Sequence, residues 1–158
     1  MKIVVASDPF GFDLKEVVKE HLLAQGHEVM DVGTQSKSQP MLYYMASDNA
    51  AKAVQSGKAQ RGIVFCGTGM GVGIVANKHK GIYCAVVESQ WAAHECREIN
   101  NANMLALGGR LIGEGHALSI VDTFLNTEWM DGCTDENRKQ RLTDMYHQVQ
   151  VLEDQNFR

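Results

Sequence analysis

The chain alternates short apolar runs with segments in which apolar residues recur at helical spacing. Five runs of four to six residues predict strands that are buried on both faces. They cover Ile3–Ala6, Glu28–Val32, Gly62–Phe65, Ile82–Val87 and Met104–Leu107. Because strands and helices alternate, the pattern predicts an α/β protein: a three-layer α/β/α sandwich around a five-stranded, mainly parallel sheet.

The segments between the strands carry the apolar stripes of amphipathic helices. Helices are predicted around Leu14–Leu23 and over residues 46–54, 91–96 and 117–125. A polar connection then leads to a final helix over residues 136–152. This helix has no strand of its own, so we expect it to pack on a partner subunit. Ligands of such sheets bind beyond the carboxyl ends of the strands, which directs attention to the loops after strands one, three and five.

Composition narrows the class of protein. A chain of 158 residues has the length of one domain, and we take residues 1–158 as a single domain. The net charge of −4 provides no broad basic surface, which argues against nucleic acid and anionic membranes as partners. The four cysteines form no C-x-x-C pair, and no signal peptide or membrane-spanning segment is recognisable. These features predict a cytoplasmic protein with reduced thiols.

The glycine-rich segment CGTGMGVGIVANK, residues 66–78, follows the third predicted strand and opens a helix. Its backbone amides can converge on an anion. It fits the dinucleotide fingerprint poorly, because it does not follow the first strand, and it lacks the Gly-Lys-Ser/Thr ending of a phosphate-binding loop. Its distinguishing residue is Cys66, since amide donors at a helix start favour a thiolate that can act as base or nucleophile. A small, buried structural cysteine is the alternative interpretation.

Four segments resemble the sugar-phosphate isomerases of the ribose-5-phosphate isomerase B and galactose-6-phosphate isomerase family. They are ASDPFGFDLK at 6–15, DVGT at 31–34, the Cys66 segment, and INNANMLALGGRLIG at 99–113. The resemblance extends from Met1 to about Arg141. It implies a Rossmann-like fold and a homodimer or tetramer in which a second subunit completes each active site. It also implies that an aldose phosphate and its ketose interconvert through a cis-enediolate, without metal or cofactor.

The resemblance assigns roles to individual residues. Cys66 matches the base that moves a proton between adjacent carbons, and Thr68 matches a donor to the developing oxyanion, together with backbone amides. The amides belong to Gly67, Gly69 and Gly71. The other matched positions bind substrate: Asp8, Tyr43 and Asn100 contact the sugar, with Asn100 coming from the neighbouring subunit, and Arg110 and Arg141 bind phosphate. Taken alone, Asp8 equally fits a turn or helix cap, and isolated arginines are usually solvated.

Three positions depart from the family pattern, and all of them concern substrate recognition. Pro9 and Ile99 replace histidines that contact phosphate and assist ring opening, and Asn137 replaces the first of two C-terminal arginines. Arg138, beside Asn137, is a partial substitute. A four-carbon sugar esterified on its terminal oxygen cannot close a five-membered ring, so it needs no ring-opening group. The departures therefore favour conversion of D-erythrulose 4-phosphate to D-erythrose 4-phosphate.

Other substrates and other classes of protein stay open on the sequence alone. Galactose-6-phosphate isomerases also carry an aliphatic residue where this chain has Ile99, so ribose 5-phosphate and hexose 6-phosphates are alternative substrates. A non-catalytic subunit that binds sugar phosphate, or a flavin or nucleotide carrier, would share the same sheet. The intact Cys66 and Thr68 disfavour a binding-only role, because such a role does not need the thiol.

Overall fold

Five parallel strands form the centre of the computed structural model, which describes residues 1–157. They are β1 (Lys2–Ser7), β2 (Glu28–Asp31), β3 (Arg61–Cys66), β4 (Cys84–Val86) and β5 (Met104–Gly108). The strand order is β2-β1-β3-β5-β4, and each neighbouring pair is parallel. The predicted α/β fold with a five-stranded parallel sheet is confirmed.

Helices cover both faces of the sheet. They are α1 (Phe12–Ala24), α2 (Tyr43–Gln55), α3 (Met70–Ala76), α4 (Gln90–Glu98), α5 (Glu114–Asn126) and α6 (Glu136–Asn156). Helices α1, α4 and α5 build an apolar core on one face, and α2 and α3 build an alanine-rich core on the other. The small side chains of Ala46, Ala50 and Ala53 let α2 lie close to the sheet. Within residues 1–157, no helix combines the length and the apolar character needed to cross a bilayer.

The prediction that all five strands are buried on both faces is wrong for β2 and β4. These two strands form the edges of the sheet, and their residues are half-buried or exposed. Strand β4 is also shorter than predicted. The N–H of Ile82 bonds to the carbonyl of His79 at 3.1 Å, and that of Tyr83 bonds to Asn103 Oδ1 at 2.9 Å, so both leave the ladder. Only the central strands satisfy the prediction, because they alone have neighbours on both sides.

Helix α6 is held by its own chain at both ends. Near its start, Arg138 donates two hydrogen bonds to the Glu98 carboxylate, at 2.6 and 2.8 Å. Near its end, Glu153 accepts hydrogen bonds from the Gly81 N–H at 2.7 Å and the Tyr83 hydroxyl at 3.1 Å. Leu142 is its only buried residue among those described. The expected packing of α6 on a partner subunit stays a prediction.

The direction in which the chain adds strands to the sheet reverses between β1 and β3. From β1 the chain passes to β2 on one side and then returns to β3 on the other. In open parallel sheets, a crevice suited to ligands forms beyond the carboxyl ends of the strands at this switch point. Cys66 ends β3 and Asp8 follows β1, so both predicted site residues lie at the switch point.

Candidate active site

Three neighbouring strands bring their carboxyl ends together at what we call the carboxyl edge. Asp8, Cys66 and Arg110 lie at or just after the ends of β1, β3 and β5. Main-chain hydrogen bonds join the three loops: Asp8 N–H to the Phe65 carbonyl at 3.2 Å, and Arg110 N–H to the Gly67 carbonyl at 3.0 Å. The loops after strands one, three and five therefore lie side by side at the carboxyl edge.

The glycine-rich loop folds back over the thiol of Cys66. The N–H of Gly69 donates to Cys66 Sγ at 3.1 Å, and the cysteine side chain is buried. Gly69 has φ +78°, and a Cβ there would lie 3.0 Å from the carbonyl carbon of Leu107. A side chain at this position therefore meets both backbone strain and a main-chain contact. The sharp turn aims an amide at the sulfur and starts α3 at Met70.

Two other cysteines are poorly suited to act as a base. Burial, followed by the proximity of Cys96, raises the pKa of Cys84 to about 12, and burial raises the pKa of Cys96 to about 11. Both thiols are therefore protonated near neutral pH. Cys66 differs from them in its surroundings, because the Gly69 N–H points at its sulfur in the loop that starts α3.

The loop that follows Cys66 carries free hydrogen-bond donors. Thr68 is exposed, and its Oγ1 accepts only a long contact of 3.4 Å from the Met70 N–H. Among residues 1–157, the N–H groups of Gly67 and Gly71 find no acceptor. A ligand oxygen above the loop can therefore receive hydrogen bonds from this side chain and from the two amides.

Asp8 and Tyr43 border the loop from two sides. Asp8 Oδ1 accepts the N–H groups of Phe10 and Gly11 at 2.8 and 2.9 Å, so this oxygen shapes the β1–α1 loop. No hydrogen bond joins Asp8 Oδ2 to any residue in 1–157. The Tyr43 ring packs on Gly71, with ring carbons 3.1 Å from the position that a Cβ would take. One oxygen of the Asp8 carboxylate therefore stabilises the turn, and the other is free to bind a ligand.

Arg110 lies over an aromatic ring that the sequence reasoning missed. Its guanidinium carbon is 4.2 Å from the centroid of the Phe10 ring, a stacked cation–π contact. Both side chains flank Gly67: Arg110 Cδ and Phe10 Cβ are 3.5 and 3.6 Å from the position of a Cβ there. The one signal in the sequence was an aromatic residue two positions after a predicted ligand, Asp8.

Asn100, Arg138 and Arg141 lie at the opposite, amino edge of the sheet. A helix between parallel strands runs back along them, so the α4–β5 connection with Asn100 lies where the strands begin. The six residues of β3 separate the two edges by about 20 Å. Within one chain, these three residues are therefore not brought to Cys66.

Of the predicted residues at the amino edge, Asn100 borders an apolar cavity of about 300 Å³. Asn100 contributes to its wall together with Tyr83, Ile99, Leu142, Met145, Tyr146 and Val149. A larger cavity of about 440 Å³ is lined by residues of α2 and α3, including Asp48 and Val75. Neither cavity is lined by Cys66, so size alone does not locate the candidate site.

The two arginines of α6 differ in what they contact. Arg138 is engaged by Glu98, whose side chain is buried, through the bidentate pair described above. Arg141 is exposed and makes no ion pair with the residues that the structure describes. Arg141 is therefore available to an anion, whereas Arg138 would have to leave a carboxylate. Both assignments as phosphate ligands stay predictions.

A buried arginine that the sequence did not single out fixes the turn after α4. Arg97 donates to the carbonyls of Ala102 at 2.6 Å and Thr127 at 3.2 Å, and to Asn101 Oδ1 at 3.0 Å. Asn101 has φ +53°, in the left-handed region. Arg97 thus holds the strained turn that carries Asn100, and the sequence offered no signal of this.

The fold and the cysteine-centred loop at the switch point define a class of α/β enzyme that handles small anionic ligands without a nucleotide fingerprint. The sequence model of the Ribose/Galactose Isomerase family matches residues 3–144. The chain belongs to this family, which includes ribose-5-phosphate isomerase B and the galactose-6-phosphate isomerase subunit LacB. The predicted class, a sugar-phosphate isomerase, is confirmed.

Three relatives illustrate the range of the family. The chain is 41% identical to 4-deoxy-4-sulfo-D-erythrose isomerase of Clostridium sp. (strain MSTE9), over 100% of this chain and 99% of the relative. It is 36% identical to D-erythrulose-4-phosphate isomerase of Pectobacterium atrosepticum, over 84% and 87%. The ribose-5-phosphate isomerase B structure from Clostridium thermocellum matches with a TM-score of 0.89 at 39% identity, over 98% and 99% of the two chains.

Proposed function

We propose that the protein isomerises an open-chain four-carbon sugar that carries an anionic group on C4. The first candidate reaction converts D-erythrulose 4-phosphate to D-erythrose 4-phosphate. The observation that carries the proposal is the thiol of Cys66 at the switch point, with the Gly69 N–H on its sulfur at 3.1 Å. A single base of this kind suits a reaction that removes a proton from one carbon and returns it to the next.

The reaction needs no net change in protons or electrons. The Cys66 thiolate takes a proton from C1 of the ketose, and the electron pair of the broken C–H bond forms the C1–C2 double bond of a cis-enediolate. The O1 hydroxyl proton passes to O2, and the thiol then gives its proton to C2 while the C1 carbonyl forms. Thr68 and the free N–H groups of Gly67 and Gly71 hold the two oxygens, where negative charge develops.

Substrate contacts divide between the two edges of the sheet. Asp8 Oδ2 and the Tyr43 hydroxyl are assigned to sugar hydroxyls beside the loop, and Arg110 to the anion. Asn100, Arg141 and, if it leaves Glu98, Arg138 complete the anion and hydroxyl contacts from the amino edge. Planar guanidinium groups bind oxyanions bidentately, which a chain of net charge −4 needs locally.

We infer that the amino edge of a second copy of the chain completes the site. One chain holds Cys66 and Asn100 at opposite edges, about 20 Å apart along the strands. A symmetric dimer that sets the amino edge of one protomer against the carboxyl edge of its partner would form two equivalent sites. The predicted homodimer or tetramer follows from this arrangement.

The four-carbon preference is supported by what the chain lacks. Pro9 and Ile99 stand where the family pattern has histidines, so the groups for a further phosphate contact and for ring opening are missing. Erythrose 4-phosphate cannot form a five-membered ring because its C4 hydroxyl is esterified, and in erythrulose 4-phosphate the C2 carbonyl lies too close to C4 for such a ring. The relative from Pectobacterium is named for this substrate.

A second candidate substrate carries a sulfonate instead of the phosphate. The relative at 41% identity over the full chain is named for 4-deoxy-4-sulfo-D-erythrose, which has no C4 hydroxyl and cannot close a ring either. A sulfonate has one negative charge, whereas a phosphate monoester carries about −1.5 to −2 at pH 7. Asn137, together with the Arg138–Glu98 pair, leaves fewer free cations for the anion. The smaller number of free cations fits a substrate with a single negative charge, such as the sulfonate.

The test is a substrate panel assayed with matched cysteine variants. The panel holds the four-carbon phosphate, the four-carbon sulfonate, ribose 5-phosphate and galactose 6-phosphate. We expect the highest kcat/KM for a four-carbon substrate, and we expect Cys66→Ala to lower its kcat by about 10³-fold. Cys84→Ala, which removes the half-buried thiol of β4, is the control that keeps activity. If ribose 5-phosphate were the best substrate, the proposed preference for four carbons would be refuted. If Cys66→Ala kept its activity, the proposed role of Cys66 as the base would be refuted.

A further inference from the structure

Phe10 is a large apolar side chain on a rigid loop, yet it contributes little to the core. The side chain is 59% exposed. Its N–H is bound to Asp8 Oδ1 at 2.8 Å, and its carbonyl oxygen would lie 2.8 Å from a Cβ on Gly109. The backbone of Phe10 is therefore fixed between the β1 and β5 loops, and its ring lies at the carboxyl edge.

The ring of Phe10 is the contact that orients the Arg110 guanidinium. The guanidinium carbon lies 4.2 Å from the ring centroid. The Arg110 side chain makes no hydrogen bond or ion pair with any of residues 1–157, and only its main-chain N–H is bound, to Gly67. Without the ring, a long arginine side chain would sample many rotamers beside the glycine loop.

We propose that Phe10 is a positioning residue that fixes Arg110 beside the Cys66 loop and thereby sets the length of substrate that reacts. This inference rests on the proposed function, in which Arg110 binds the terminal anion. A guanidinium held at one point beside Gly67 imposes one separation between the anion and the carbon that meets Cys66 Sγ. Substrates whose chain does not match this separation bind their anion with the reacting carbon misplaced.

Variants of Phe10 distinguish the effect of its aromatic face on Arg110 from the effect of its size. Phe10→Ala should raise KM for the four-carbon substrate about fivefold, the size of one cation–π contact, with kcat changed less than about twofold. Phe10→Tyr keeps the face and should match the wild type, whereas Phe10→Leu keeps bulk without the face and should resemble Phe10→Ala. The preference for four- over five-carbon substrates should fall in the Ala and Leu variants.

A double-mutant cycle with Arg110→Ala tests whether Phe10 acts through the arginine. In the Arg110→Ala background, removing Phe10 should change KM no further. Leu23→Ala, which removes an exposed apolar residue at the far end of α1, is the control for nonspecific effects. An unchanged KM in Phe10→Ala, wild-type behaviour of Phe10→Leu, or a full Phe10 effect without Arg110 would each overturn the inference.

Inorganic phosphate gives a readout that does not depend on turnover. We expect phosphate to raise the melting temperature of the wild type and of Phe10→Tyr more than that of Phe10→Ala. If the wild type turned over no four-carbon substrate while this difference persisted, the proposed function would fail and the role of Phe10 would hold. If turnover were present and the difference were absent along with any KM change, the inference alone would fail.

Discussion

The two edges of the sheet are built by different means. At the carboxyl edge, glycines let main chains approach closely, as at Gly69 against Leu107, and main-chain hydrogen bonds join the three loops. At the amino edge, long charged side chains make the connections: buried Arg97 holds the turn after α4, and Arg138 ties α6 to Glu98. Main-chain contacts do not depend on side-chain identity, whereas side-chain contacts are lost or altered when a single residue is substituted.

This difference agrees with where the chain departs from the family pattern. The Cys66 loop retains the residues that the family resemblance assigns to proton transfer, whereas Ile99 and Asn137 both lie at the amino edge. Only Pro9 departs at the carboxyl edge. In the proposed function, the carboxyl edge carries the reaction, and the amino edge adds substrate contacts that can change without altering the base.

The largest expected effect comes from mixing variants of the two edges. At substrate concentrations below KM, the Cys66→Ala and Arg141→Ala homodimers should each keep at most about a tenth of the wild-type activity. If the edges meet between protomers, a heterodimer of the two variants has one intact site and should regain about half of the wild-type activity. Heterodimers isolated with two different tags and assayed for turnover provide the measurement.

A pairing within one edge is the matched control for this experiment. In a heterodimer of Cys66→Ala with Thr68→Ala, each site carries one defect, because both residues lie on the same loop. No activity should return. If the Cys66→Ala and Arg141→Ala heterodimer stayed as inactive as its parents, the assignment of the amino edge to the partner's site would be wrong.

The sequence could predict the carboxyl edge because its signals are local. Strand three, the glycine run and Cys66 are contiguous, and the alternation of strands with helices places the ends of β1, β3 and β5 at one edge. The exposure of β2 and β4 was missed because it depends on strand order, which periodicity does not encode. Both edge strands contain apolar residues that pattern alone cannot distinguish from those of a central strand.

Contacts between side chains of distant elements could not be predicted from the sequence. Nothing in the order of residues pairs Glu98 with Arg138, forty positions later, or sets the Arg110 guanidinium over Phe10. These contacts depend on how α6 and the β5 loop return to the sheet. The sequence offered Arg138 only as a partial substitute for the arginine missing at Asn137, whereas the structure adds the carboxylate that Arg138 already binds.

The next largest expected effect is a difference between the KM values of Arg138→Ala and Arg141→Ala, the two arginine variants of α6. Arg141→Ala should raise KM for the anionic substrate by roughly 10- to 100-fold, the value of one charge-assisted hydrogen bond. Arg138→Ala should raise KM less and instead lower the urea midpoint of unfolding, because it leaves the buried Glu98 carboxylate without its partner. If both variants raised KM equally and left the urea midpoint unchanged, Arg138 would bind the substrate anion instead of stabilising α6 through Glu98. Steady-state kinetics and urea unfolding of both variants provide the data.

The smallest effect compares two glycines that share a backbone conformation and differ in their surroundings. Gly26 and Gly69 have φ +82° and +78°, but a Cβ meets nothing within 4 Å at Gly26 and meets the Leu107 main chain at 3.0 Å at Gly69. Gly26→Ala should lower the free energy of unfolding by about 1 kcal/mol, the cost of a left-handed alanine. Gly69→Ala should lower it by about 2–3 kcal/mol, because the loop must also move. The same movement should withdraw the N–H from Cys66 Sγ, so kcat should fall in Gly69→Ala and stay unchanged in Gly26→Ala. Equal losses of stability in the two variants would show that the loop is not built by close approach of its main chain.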